Sequence, residues 1–258
     1  MDIAVLVKQV PDTYSERKLT ADGVLDRAAA DAVIDEIDSR GVEVALQLTE
    51  EHGGEVTVVT MGPARATETV RKALAMGAHK AVHLLDDAFA GSDAWQTSAA
   101  LAAAIRTLRC DLVITGNEAS DGKTGTVPAM LAERLGMPQV TSVRKIVIDG
   151  STLSAEKVVD GGYAEVTANL PAVVSVSEKI TEPRYPNFKG IMAAKSKPVT
   201  TLGVADLGLD AGSTGGAAAA CRVVESLPRP PRDAGQKVTD DGTGASQAAA
   251  FLAAERLI

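Results

Sequence analysis

Aromatic side chains are scarce in this sequence: three Phe, three Tyr and one Trp make up 3% of 258 residues. A core must therefore be built from Ala, Val, Leu and Ile, and a hydrophobic fraction of 45% is enough to build one. Only two cysteines occur, Cys110 and Cys221, far apart and at no metal or redox spacing. That excludes a disulfide framework and points to a reducing compartment. Positive charge is in deficit, with 26 Lys and Arg against 34 Asp and Glu and a net charge of -8. A nucleic-acid partner is not expected of such a chain. No apolar run approaches the roughly 18–20 residues that span a bilayer, so the chain is not expected to be membrane-embedded. Residues 2–7 read as a strand and not as a signal peptide. A cytoplasmic protein is expected, or a mitochondrial matrix protein if a transit peptide has been removed. No Gly-x-Gly-x-x-Gly follows a strand, which argues against an ordinary dinucleotide dehydrogenase. His52, His79 and His83 belong to no nucleophile or metal constellation, so no metal site and no catalytic residue are expected.

What is present is an alternating pattern. Residues 3–7 form a continuous apolar run, as in a parallel strand buried on both faces. Residues 10–30 read as loop, and residues 30–51 have helical spacing with Gly41 in the middle. A strand over 55–60 leads to Gly62-Pro63 and a helix with Val70, Ala73 and Leu74 on one face, ended by Gly77. A strand over 81–85 precedes a helix capped by Ser92 or Asp93. A strand over 111–115 and a helix carrying Val127, Leu131 and Leu135 complete the series. This order predicts an α/β fold with a doubly wound parallel sheet. Four short strand-like runs follow, over 143–148, 152–158, 163–167 and 172–177. Asp149-Gly150 and Asp160-Gly161-Gly162 between them predict an antiparallel extension. Pro183 and Pro186 interrupt the next segment, and from residue 181 onward the chain reads as irregular. Residues 203–243 read as an extended arm, with a short helix over 246–258.

The sharpest local feature is the loop Gly116-Asn117-Glu118-Ala119-Ser120-Asp121-Gly122-Lys123-Thr124. It follows a strand and opens a helix. It is close to a phosphate-binding P-loop, but five residues separate its glycines where that motif has four. Backbone N–H groups of residues 123–127 at a helix N-terminus suit an anion; an ordinary strand-to-helix turn is the alternative.

Several blocks in one order resemble the electron-transfer flavoprotein β-subunit family, over nearly the whole chain. They are Val5-Leu6-Val7-Lys8-Gln9-Val10-Pro11-Asp12, Gly62-Pro63-Ala64, Arg71-Lys72-Ala73-Leu74-Ala75-Met76-Gly77-Ala78, Asp160-Gly161-Gly162 with Leu170-Pro171-Ala172-Val173-Val174, Glu182-Pro183-Arg184-Tyr185, and Gly190-Ile191-Met192-Ala193-Ala194-Lys195. The resemblance implies a Rossmann-like core that holds AMP, paired as a heterodimer with an α-subunit that holds most of the FAD. The AMP site would comprise Leu6, Val7, Lys8, Asp35, Asp38, Met61, Asp121, Lys123, Thr124, Gly125, Thr126 and Val127. Asp35 and Asp38 stand where Asn and Cys occur in some members. Tyr14 and Ile37 would approach the flavin. A partner-recognition loop over 182–197 would present Arg184, Tyr185, Phe188, Ile191, Met192 and Lys195, with Phe188 plugging a pocket on an acyl-CoA dehydrogenase.

Residues 1–200 would form the nucleotide-binding domain, and residues 201–258 an arm and short helix wrapping the partner. The implied function is electron transport in fatty acid oxidation, from dehydrogenases through FAD to a membrane quinone oxidoreductase, without catalytic residues of its own. An electron-bifurcating relative that reacts with NADH, a P-loop-like NTPase using Lys123 and Thr124, and a nucleotide sensor are the competing readings.

Overall fold

A computed structural model describes the whole chain except Arg17, Pro228 and Gln236. The elements are β1 (Ile3–Leu6), β2 (Gln9–Pro11), β3 (Ala32–Ile34), α1 (Glu36–His52), β4 (Val56–Met61), α2 (Thr67–Met76), β5 (Lys80–Leu84), α3 (Ala94–Leu108), β6 (Leu112–Gly116), α4 (Val127–Leu135), β7 (Gln139–Asp149), β8 (Thr152–Val159), β9 (Gly162–Asn169), β10 (Ala172–Val176), α5 (Phe188–Ala194), β11 (Val199–Leu202) and α6 (Gly244–Ala254). Nine strands form one sheet in the order β11-β5-β4-β1-β6-β10-β7-β8-β9. Its members are parallel from β11 to β7, and β8 and β9 add the antiparallel extension. The α/β, Rossmann-like architecture read from the sequence is therefore the one observed.

Side chains alternate across the sheet and feed two cores. Ile3, Val5, Leu112, Ile114 and Val174 pack with Val42, Leu46, Val70 and Leu74, so α1 and α2 cover one face. Ala4, Leu6, Val59 and Val113 pack with Leu101, Ile105 and Leu131, so α3 and α4 cover the other. Gly41 has a packing reason: a Cβ there would lie 3.3 Å from Ile114 Cγ2, so the helix can sit close to β6. Asp93 caps α3 in a full capping box with Gln96.

The structure corrects four local readings. Residues 32–34 form β3, paired with β2, and the following helix starts only at Glu36. Asp35 sets that start, because its carboxylate accepts the Ile37 N–H at 3.0 Å. β10 is not part of the antiparallel extension but lies between β6 and β7, parallel to both. All five of its residues are buried, as a strand covered on both faces requires. Residues 188–194 form α5, since both prolines precede the first turn and Asn187 caps it by accepting the Gly190 N–H at 2.8 Å. Finally, β11 pairs with β5 at the sheet edge and runs across residues 200 and 201. One compact unit spans Met1–Val224 and a second spans Glu225–Ile258. Within the second, α6 buries none of its residues. Among the described residues no helix is long and apolar enough to cross a membrane.

Candidate functional site

Chain order reverses beside β1: β4 and β5 lie on one side of it, β6 and β10 on the other. In open α/β sheets such a switch point opens a crevice at the carboxyl ends of the strands. Two acidic residues at the start of α1 organise it. Asp35, 1% exposed, caps the helix with one oxygen and accepts the Ser120 N–H at 2.8 Å with the other. Asp38 accepts the Lys8 N–H at 2.8 Å and the Gly116 N–H at 3.1 Å. The ends of β1 and β6 and the loop beyond β6 are thus fastened to one helix N-terminus. Burial, reinforced by the nearby Asp35, pushes the Asp38 carboxyl up to about 8 against the opposing pull of its N–H donors. Gly116 must be glycine here, because a Cβ would lie 2.5 Å from Asp38 Oδ1.

Asp121 is the third carboxylate, and its side chain is fully buried. It accepts from Lys8 Nζ at 2.7 Å and from Arg27 Nη2 at 2.5 Å. Burial alone would raise its pKa, but the two cations outweigh that and hold the carboxyl below the ordinary range. The loop then turns through Lys123 (φ +49°) and Gly125 (φ +60°) into right-handed Thr126 (φ −95°, ψ −23°). Such alternation turns successive N–H groups toward one side, an arrangement that binds anions. Among the described residues, the N–H groups of Thr124, Gly125 and Thr126 meet no acceptor in the chain. The Lys123 N–H differs from the sequence reading, since it bonds Ala119 O at 2.9 Å and is not free for an anion. Asn117 Oδ1 and Ser120 Oγ are buried with no hydrogen-bond partner. Orphaned polar atoms beside free N–H donors suit a phosphate with an attached sugar or base.

The other residues read as a nucleotide site are placed as follows. Leu6 ends β1 with its side chain in one core, and Val7 follows with its side chain buried in the other. Met61 ends β4 and is half-buried. Val127 opens α4 with Pro128 beside it. Tyr14 stands 98% exposed, and Ile37 packs beside Gly116.

The partner segment is seated on α1 and α2. Arg184 is turned inward and grips Glu43 at 2.7 and 3.0 Å and Glu50 at 2.6 and 3.1 Å. Those contacts raise its pKa further above the ordinary guanidinium value, with Glu50 first and Glu43 next. Arg40, nearly buried, donates to Thr181 O at 2.6 Å and pairs with Glu182 and Glu36. On α2, Arg71 donates to Ala194 O and Lys197 O, while Lys197 Nζ caps α2 at Leu74 O, Gly77 O and Ala78 O. Gly190 lets α5 approach, since a Cβ there would lie 2.4 Å from Ala75 O. Tyr185 (95%), Phe188 (79%), Ile191 and Met192 face solvent around Lys195, an apolar patch on a firmly seated base.

Arg27, Arg40, Glu43 and Glu50 were not singled out from sequence. Their partners lie 94 to 142 residues away where the pairs are long-range, and no local pattern marks them. Asp35 is a residue type that caps helices, but the helical spacing read over residues 30–51 placed it inside the helix and not at its start.

The family described as "Electron transfer flavoprotein domain" matches residues 22–207. The chain is 54% identical to electron transfer flavoprotein subunit beta of Mycobacterium tuberculosis H37Rv, covering 100% of this chain and 99% of that protein. The corresponding subunit of Mycobacterium leprae is 53% identical with the same coverage. The Caffeyl-CoA reductase-Etf complex subunit CarD of Acetobacterium woodii is 37% identical over 98% of this chain and 96% of its own length.

Proposed function

The chain belongs to the electron-transfer flavoprotein β-subunit family, and on that premise we propose that it is the AMP-holding half of a heterodimer whose α-subunit binds most of the FAD. The observation that carries the nucleotide assignment is the run of free N–H groups at residues 124–126 next to the orphaned Asn117 and Ser120 atoms. Backbone donors and a helix N-terminus hold a phosphate without needing a matched cation. In this reading AMP is structural: it ties the loop after β6 to β1 and α1, and so shapes the surface offered to the α-subunit. FAD, when bound, supplies the redox chemistry. This chain positions it, with Tyr14 and Ile37 nearest the flavin, and contributes no catalytic residue.

The exposed patch around Phe188 docks dehydrogenases of the acyl-CoA type, and electrons pass onward to a membrane quinone oxidoreductase. A buried aromatic anchor inside a polar rim is the usual source of binding energy in such contacts. The apolar residues of Glu225–Ile258, among them Phe251, Leu257 and Ile258, are exposed within their own unit and supply the arm that wraps the partner subunit. In this reading the protein works in the cytoplasm, in fatty acid oxidation.

Co-expression with its α-subunit and denaturation of the purified complex tests this. One FAD and one AMP per heterodimer are expected. Two FAD would favour the bifurcating, NADH-reacting reading. ATP hydrolysis abolished by Lys123→Ala would replace the carrier reading with an NTPase.

A further inference from the structure

Resting on the nucleotide reading above, we propose that Arg27 is a further nucleotide-binding residue, carried on a strap over the crevice and setting how fast the nucleotide leaves. None of the described residues from 12 to 31 is buried, so this segment has no core of its own. Its base is closed by the Asp12 N–H on Asp31 O at 2.8 Å. Its upper part is stiffened by the Leu19–Leu25 bridge and by Asp26, which accepts the Ala28 and Ala29 N–H groups. An open cleft of about 370 Å³ lies between its two limbs, bounded by Ser15 and Lys18 on one side and Ala28 to Asp31 on the other. Segments of this kind, with few buried contacts, open at low cost.

Arg27 holds the strap to the crevice through Asp121. The two partners are unlike: the Asp121 side chain is fully buried, whereas Arg27 is 43% exposed and spends one Nη2 contact on it. A guanidinium has five donors, so most of Arg27 is left to face an incoming phosphate. Charge points the same way. Among the described ion pairs two cations, Lys8 and Arg27, converge on the one Asp121 carboxylate, in the same loop as the N–H groups of residues 124–126, while Asp35 and Asp38 are engaged by backbone N–H groups. A bound phosphate therefore pulls on Arg27 and draws residues 18–31 down, and release requires the latch to open.

The test uses the heterodimer with radiolabelled AMP, chased by excess unlabelled AMP. Arg27→Ala is expected to speed AMP dissociation by about tenfold or more, as loss of a partly buried charged contact does. Arg27→Lys should recover part of the difference. Hydrogen exchange separates a ligand contact from a surface ion pair: AMP should slow exchange across residues 18–31 in the parent and fail to do so in Arg27→Ala. Unchanged dissociation, or equal protection by AMP in both proteins, would overturn the proposal. Should the parent complex carry no AMP, the nucleotide reading itself fails, before any variant is compared, and the latch falls with it.

Discussion

Arg184→Met removes the guanidinium that seats the exposed segment while keeping most of the apolar stem. In the parent, Glu43 receives the Arg184 Nε and Nη2 groups at 2.7 and 3.0 Å and the Arg184 backbone N–H at 3.1 Å. Its side chain is only 6% exposed. After substitution that carboxylate keeps Gln47 as its side-chain donor and stays buried. Orphaning a fully buried charge costs about 3–5 kcal/mol. Arg184 is itself a third exposed and Glu50 is 59% exposed, so solvent screening reduces the expected loss to about 2 kcal/mol. For a chain of this size that is a fall in Tm of about 4–8 °C. The pH dependence supplies a second check. Burial alone would raise the Glu43 pKa, but its bonds to Arg184 outweigh this and lower it. A depressed carboxyl contributes stability above its unfolded pKa, near 4.3, and loses it as pH falls through the folded value. Urea titrations of parent and variant should therefore differ clearly at pH 7 and converge toward pH 3. Equal stability at pH 7, or a gap of the same size at pH 3, would refute the reasoning.

Phe188→Ala should leave FAD content and Tm unchanged, because the ring is 79% exposed, while dehydrogenase-dependent flavin reduction weakens by about 2 kcal/mol or roughly 30-fold in KM; equal loss of FAD would sink the anchor idea. Asp38 has a folded pKa raised to about 8, so its stabilising contribution is complete below its unfolded pKa and is lost as pH rises toward 8. Asp38→Asn should thus gain on the parent by on the order of 1 kcal/mol per pH unit between about pH 5 and 8; a constant gap in urea midpoints over that range would count against the burial argument. Gly116→Ala forces a Cβ against Asp38 Oδ1 and should cost about 1–3 kcal/mol by overpacking, and it should reduce AMP retained through gel filtration; a neutral result in denaturation would show that the β6 end can shift.

The parallel core was legible because its signals are local. β1, β4, β5 and β6 are short apolar runs, and Gly77 and Gly136 close α2 and α4 where the periodicity ends. The hairpins at Gly150 and Gly161 were legible for the same reason, since both take positive φ. β10 was misplaced because four runs in succession look alike, and sequence carries no direct record of which strand inserts between which. α5 was obscured by Pro183 and Pro186, which stop a helix only if they fall inside it. At the crevice, the loop after β6 was recognisable from its turn formers and its position. The hold of Asp35 on Ser120 and of Asp38 on Lys8 and Gly116 was not, because carboxylates that accept backbone N–H groups from distant residues read the same in sequence as carboxylates that face a ligand. Arg27 was invisible on similar grounds: its partner is 94 residues away.

The exchange of carbonyl caps between α2 and α5 has a mechanical consequence. Arg71 of α2 holds the end of α5 at Ala194 O, Lys197 in the segment after α5 holds the end of α2, and Gly190 brings the backbones into contact. Force applied at Phe188 is thereby transmitted to the sheet instead of being absorbed by a hinge under the patch. A body gripped there would hold a fixed handle.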